Sequence, residues 1–213
     1  MTPRSIVRSL VVLCFILISP LASAATILVL GDSLSAGYGL RAEESWPAHL
    51  ARRLERSGRP HAVVNASVSG ETTAGGLARL PHALKTHVPD VVVIELGAND
   101  GLRGLPLTRM KTNLEAMIAL SREAGAHVVL VGMQLPPNYG PAYANKFRET
   151  FETLAAEQGT AFVPFLLAGF ADRREWFQPD GLHPTADAQA AILDNVWPAI
   201  EPLISRAGAL SAR

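Results

Sequence analysis

The sequence predicts an α/β fold, a three-layer α/β/α sandwich around a five-stranded parallel sheet. Two observations carry this. Short apolar runs alternate with segments of helical spacing along most of the chain. The runs are apolar at consecutive positions rather than at every second one, as strands covered on both faces require. A third observation ties the fold to chemistry. Ser33, Gly70, Asn99 and the pair Asp180 and His183 all follow predicted strands, and open α/β sheets bind ligands beyond the carboxyl ends of their strands.

The elements follow in order. Thr26–Leu30 is a continuous apolar run closed by Gly31, a buried strand. Trp46–Ser57 has helical spacing, with Ser45 as N-cap and Gly58 as stop. Ala62–Asn65 reads as the second strand. Thr73–Thr86 is a helix with Leu77, Leu80 and Leu84 on one face. Val91–Leu96 is the clearest strand. Leu107–Glu123 is a helix with Met110, Leu114, Met117 and Ile118 along its stripe and Gly125 beyond its end. His127–Val131 is the fourth strand. Tyr143–Glu157 is a helix striped by Phe147, Phe151 and Leu154, and Ala161–Phe165 is a fifth, short strand. Ala186–Val196 is the last helix, since Pro198 and Pro202 oppose its continuation to Leu203. Residues 25–206 read as one domain, with a flexible tail at 207–213.

The first 24 residues stand apart. Arg4 and Arg8 precede an apolar run from Leu10 to Ile18, Pro20 breaks it, and Ala22-Ser23-Ala24 is a small-x-small cleavage pattern. This is a secretory signal peptide, cut near Ala24. The run is well short of the roughly 20 apolar residues that span a bilayer. Removing 24 of 213 residues leaves 189, enough for one domain with a substantial core. Arg4 and Arg8 leave with the leader, so 17 basic residues face 19 acidic ones. With no basic block, neither nucleic-acid binding nor strong electrostatic attraction to anionic membranes is expected. No membrane span is expected after cleavage. The only cysteine, Cys14, lies in the leader, so the mature chain has no disulfide and no thiolate chemistry.

Asp180-Gly181-Leu182-His183 supplies a carboxylate and an imidazole three positions apart, and Gly31-Asp32-Ser33-Leu34 supplies a hydroxyl after the first strand. Serine becomes a nucleophile when an imidazole takes its proton, and the imidazole needs a carboxylate to fix its tautomer. The backbone N–H of Ser33 at a helix start, the N–H of Gly70 and the side-chain amide of Asn99 are suited to a three-donor oxyanion hole. Taken singly, each has an ordinary structural use. Asp32 or Ser33 caps a helix, Gly70 and Asn99-Asp100-Gly101 make turns, and Asp180 with His183 offers two metal ligands, although no HExxH or second cluster accompanies them. His49, His61, His82, His87 and His127 have no acidic partner at useful spacing.

Together these blocks resemble the SGNH, or GDSL, hydrolases. Gly31-Asp32-Ser33-Leu34, Gly70, Gly97-x-Asn99-Asp100 and Asp180-x-x-His183 occur in the family's order over residues 31–183. The segments GDSLSAGYGL, WPAHL, VVNASVSGETT, GLARLP, ELGANDGLRG, LPPNYG and DGLHP are similar to its bacterial periplasmic members. The resemblance implies a flavodoxin-like strand order, 2-1-3-4-5. It implies Ser33 as nucleophile, His183 as general base and then acid, and Asp180 as its orienting partner. Ser33, Gly70 and Asn99 would form the oxyanion hole. Acyl thioesters, aryl and alkyl esters and lysophospholipids are the implied small-molecule substrates, with no metal or organic cofactor, and the periplasm is the implied location. A long acyl chain needs an apolar groove, for which Leu135, Pro136, Tyr139 and Leu182 are the expected wall. Gln134 and Pro137 depart from the basic residue and alanine usual in that loop, so chain-length preference does not carry over. Two other readings share the pattern: a carbohydrate O-acetylesterase with a shallow acyl pocket, and a non-catalytic periplasmic binding protein.

Overall fold

The computed structural model describes residues 24–57 and 61–210, with side chains as far as Ile204. The expected leader, but for Ala24, and the expected stop at Gly58 lie outside the described residues. Five parallel strands form one sheet: β1 (Thr26–Gly31), β2 (Ala62–Asn65), β3 (Val91–Glu95), β4 (His127–Val131) and β5 (Ala161–Val163). Their order is β2-β1-β3-β4-β5.

The apolar runs are explained by the two faces they supply. Leu28, Leu30, Val92, Ile94, Val128 and Leu130 point to one side. There they meet α3 (Thr73–His87), α5 (Leu107–Glu123) and α6 (Pro141–Gln158) through Leu80, Leu114, Phe147 and Phe151. Ile27, Val29, Val91, Val93, Val129 and Val131 point to the other side. They pack on α2 (Trp46–Arg56) and α7 (Gln189–Leu210) through Trp46, Leu50, Ile192 and Val196. Each such side chain contributes about 1.5–3 kcal/mol on burial. Two one-turn helices, α1 (Ser33–Ala36) and α4 (Ala98–Leu102), follow β1 and β3. Among the described residues no helix is long and apolar enough to cross a membrane.

Two local expectations are corrected and one is refined. Ser45 is the N-cap residue of α2, as expected, but its hydroxyl donates to the Ala42 carbonyl at 2.9 Å instead of capping the helix, and the Trp46 N–H is satisfied by Gln189 Oε1 at 3.0 Å. β5 stops at Val163, because the chain leaves the sheet at Pro164, which has no N–H to give the ladder. The last helix starts at Gln189 rather than Ala186 and runs through Pro198 and Pro202 to Leu210, into the segment expected as a tail. Each interior proline costs about 3 kcal/mol. Val196, Ile200 and Ile204, spaced four apart and almost fully buried on the sheet, offset that cost.

Candidate active site

The carboxyl ends of the strands gather the predicted residues. Asp32 caps α1, its Oδ1 accepting the Leu34 N–H at 3.0 Å, and this turns Ser33 out of the strand direction at the head of the helix. As the first helical residue, Ser33 has no intrahelical acceptor for its N–H. Gly37, in the left-handed region at φ 73°, ends the turn.

The loop between β5 and α7 is folded by its own carboxylate. Asp180 Oδ1 accepts the N–H groups of Leu182 at 2.9 Å and His183 at 3.0 Å, an Asx turn. This leaves Oδ2 to receive His183 Nδ1 at 2.7 Å. On its other side His183 Nε2 lies 2.9 Å from Ser33 Oγ. With Asp180 ionised, Nδ1 carries the proton and Nε2 accepts from the serine hydroxyl. Partial burial raises the Asp180 pKa, but the backbone N–H and ring of His183 and the N–H of Leu182 outweigh it and hold the group down at about 2. Residues the sequence did not single out anchor this loop. Gln178 N–H donates to the His183 carbonyl at 2.8 Å, and the Arg174 guanidinium reaches the carbonyls of Phe177, Gln178 and Pro179.

Asn99 enters from α4. Its Nδ2 donates to Asp32 Oδ2 at 2.9 Å, so the residue beside the serine also orients the amide. Burial pushes the Asp32 carboxyl up to about 6; the Leu34 N–H, the Asn99 amide and the charge of His183 oppose this, and Asp100 adds to it. Asp100 receives the N–H and hydroxyl of Thr73, fastening α4 to the start of α3. Gly70 sits in the Val68–Glu71 turn at φ 78°, its carbonyl held by Arg103 at 2.9 Å. A Cβ there would meet only Arg103 Nη2, at 3.6 Å. The glycine is therefore required by its backbone conformation, not by crowding.

A cavity of about 620 Å³ opens beside the triad. Ser33, Asn99 and His183 lie at its polar end, and Leu135, Pro136 and Leu182 line it as expected. Gly70 does not border it. Tyr139 does not either, contrary to expectation. Its hydroxyl donates to the Leu102 carbonyl at 2.9 Å, which turns the ring away from the groove as a brace between two loops. The wall is completed by Leu102, Met133, Phe165, Leu167 and Phe177, which the sequence reading missed. Phe165 was hidden by its assignment to a strand. Among the described residues no cluster of three or more His, Cys, Asp or Glu could hold a metal ion.

Comparison with known proteins identifies the family. The chain is 48% identical over 192 residues to esterase TesA of Pseudomonas aeruginosa, covering 90% of this chain and 96% of that one. It is 41% identical over 184 residues to thioesterase 1/protease 1/lysophospholipase L1 of Escherichia coli K12, covering 86% and 87%. A crystal structure of TesA superposes with a TM-score of 0.81 at 49% identity, over 84% of this chain and 99% of that one. Residues 29–191 match the model of the GDSL-like lipase/acylhydrolase family, and with this arrangement of serine, histidine and aspartate on the family's fold, the chain belongs to it.

Proposed function

We propose that the protein hydrolyses carboxylic esters and thioesters in two steps through an acyl-enzyme on Ser33. The observation that carries this is the pair of contacts of His183, 2.9 Å to Ser33 Oγ and 2.7 Å to Asp180 Oδ2. Ser33 Oγ attacks the acyl carbonyl while His183 Nε2 takes its proton. Asp180 keeps the ring in the tautomer that accepts at Nε2 and stabilises the imidazolium. The oxyanion is received by the N–H groups of Ser33 and Gly70 and by the second amide hydrogen of Asn99. One such donor contributes about 3–4 kcal/mol to the transition state. The leaving thiol or alcohol takes the proton from His183. Water, activated by the same imidazole, then releases the acid and restores Ser33.

The apolar groove beside the serine supports acyl chains longer than acetyl, which argues against a shallow acetylesterase pocket. Esterase, thioesterase and lysophospholipase activities among the relatives support oxygen esters, thioesters and lysophospholipids as the substrate class. The leader pattern ending at Ala24 supports export, with the periplasm as destination and Ala25 as the mature N-terminus.

The test is a series of p-nitrophenyl esters and acyl-CoA thioesters of rising chain length, run on the mature protein beside Ser33→Ala. The variant should lose about 10³-fold or more of kcat/KM on every substrate. Unchanged hydrolysis by Ser33→Ala would overturn the serine mechanism, and a sharp optimum at acetate would overturn the substrate class.

A further inference from the structure

β3 ends in Glu95, a carboxyl that no step above uses. It is 2% exposed, directly beneath the nucleophile turn. In the sheet register Glu95 stands opposite Gly31. A Cβ on Gly31 would come within 2.6 Å of Glu95 Oε2, so the carboxyl occupies the space the glycine leaves open. Oε2 accepts the Ser35 hydroxyl at 2.6 Å and the Asp32 N–H at 3.3 Å. Ser35 Oγ in turn accepts the Trp46 indole N–H at 3.1 Å, and the Trp46 backbone is held by Gln189. One buried oxygen therefore links the sheet to α1, and through Ser35 and Trp46 to α2 and α7.

This matters because α1 has only four residues. A single helical turn does not hold itself in water, so the direction of Ser33 depends on what fastens the turn. Outward, Asp32 caps it, and Asn65 Nδ2 holds the Ser35 carbonyl at 2.8 Å. Inward, Glu95 is the fastening. The groups facing Glu95 are Gly31 from β1, Asp32 and Ser35 from the nucleophile turn and, through Ser35, Trp46 from α2. Only Asp32 among them titrates, and it is another acid. Asp32 itself faces His183 and Asp100. Burial, then the Asp32 charge, holds the Glu95 carboxyl well above the ordinary range, against the hydrogen bonds from Ser35 and Asp32.

We propose that Glu95 is a positioning residue for acyl transfer: its carboxyl seats the Ser33 turn through the Ser35 hydroxyl and the Asp32 backbone N–H. The proposal rests on Ser33 being the nucleophile. It assigns Glu95 no contact with substrate.

Glutamine reproduces the acceptor without the acid, and alanine removes it. On a short p-nitrophenyl ester, Glu95→Ala should lose kcat by about 10²-fold with KM little changed, the signature of a misplaced nucleophile. Glu95→Gln should recover most of that loss, with the wild-type pH profile above pH 6. Ser35→Ala, which keeps the carboxyl but cuts its link to α1, should fall between them. It decides the matter if Glu95→Ala does not fold. Wild-type kcat in folded Glu95→Ala, or in Ser35→Ala, overturns the proposal. So does a Glu95→Gln as slow as Glu95→Ala. An active Ser33→Ala would instead sink the nucleophile assignment, whatever the Glu95 variants do.

Discussion

The ring of Tyr38 lies against the ring of His183, with centroids 4.4 Å apart and planes inclined by 36°. Gln178 holds this contact from behind, its Nε2 donating to the carbonyls of Tyr38 at 2.7 Å and Pro184 at 3.1 Å. The first and last loops of the fold, 145 positions apart at these two rings, are thus joined over the general base. When His183 takes the serine proton, an aromatic face beside it favours the cation by about 0.5–1 kcal/mol at an exposed site.

Tyr38→Ala should therefore lower kcat/KM for a short ester by about two- to fivefold. Tyr38→Phe should not, because the phenol oxygen takes no part in the stacking. Ester hydrolysis by the two variants checks this. Equal rates in Tyr38→Ala and wild type would leave the contact without a catalytic role.

Gly31 and Gly70 make opposite demands, which substitution separates. Gly31 lies in β1, and a Cβ there would stand 2.6 Å from Glu95 Oε2 and 2.8 Å from Ser35. Gly31→Ala should destabilise the protein by about 1–3 kcal/mol through overpacking, and should displace the Ser33 turn, abolishing most activity. Gly70→Ala has room but not the backbone conformation, and should cost about 1–2 kcal/mol from the left-handed φ alone. Denaturant unfolding of both gives the stabilities. A Gly31→Ala protein with native stability and full activity would contradict the close packing of Gly31 on Glu95 and Ser35.

These glycines show where the sequence was readable. Ser33, Asn99, Asp180 and His183 were legible because acyl transfer demands those residue types, and the strand-loop pattern put them on one edge. The reason for Gly31 was not legible. Its partner Glu95 is 64 positions away and meets it only through sheet register, and as the polar end of an apolar strand it carried no signal of its own. Tyr139 was misplaced because its neighbours Leu135 and Pro136 do line the groove. The one-turn 3₁₀ helix Pro137–Tyr139 redirects its side chain to Leu102. Pro198 and Pro202 argued locally for a helix end, and burial against the sheet, a tertiary term, overrode them.

Asp32 joins stability to function with a definite sign. Its folded pKa, about 6, lies above its ordinary 3.8. Folding therefore favours the proton. The stabilising contribution is full below pH 4 and is lost as pH rises through 6, above which the buried charge opposes folding. Asp32→Asn should match wild-type stability near pH 4 and exceed it at pH 8 by about 1–3 kcal/mol. The same change presents a donor to Asn99 Nδ2, so kcat should fall by about 10²-fold as the amide turns away. Asp180 has the reverse sign. Held at about 2, it contributes to stability above pH 4, and this is lost as pH falls through 2. Urea unfolding at pH 4 and 8, paired with ester kinetics, checks the Asp32 claim, and a destabilised Asp32→Asn at pH 8 would refute it.

The groove makes the remaining prediction. Each methylene that enters an apolar wall contributes about 0.8 kcal/mol, close to fourfold in kcat/KM, until the wall ends. A plot of log kcat/KM against acyl length should therefore rise and then flatten. Phe165 borders the groove, whereas Tyr139 braces it from outside. Phe165→Ala removes wall, so the rise should become shallower and long esters should lose most. Tyr139→Phe removes only the hydrogen bond to Leu102, so the slope should stay and all long esters should weaken by one common factor of a few-fold. If Tyr139→Phe changes the slope and Phe165→Ala does not, the acyl chain runs on the other side of the Pro137–Tyr139 turn, and the groove is not where the chain binds.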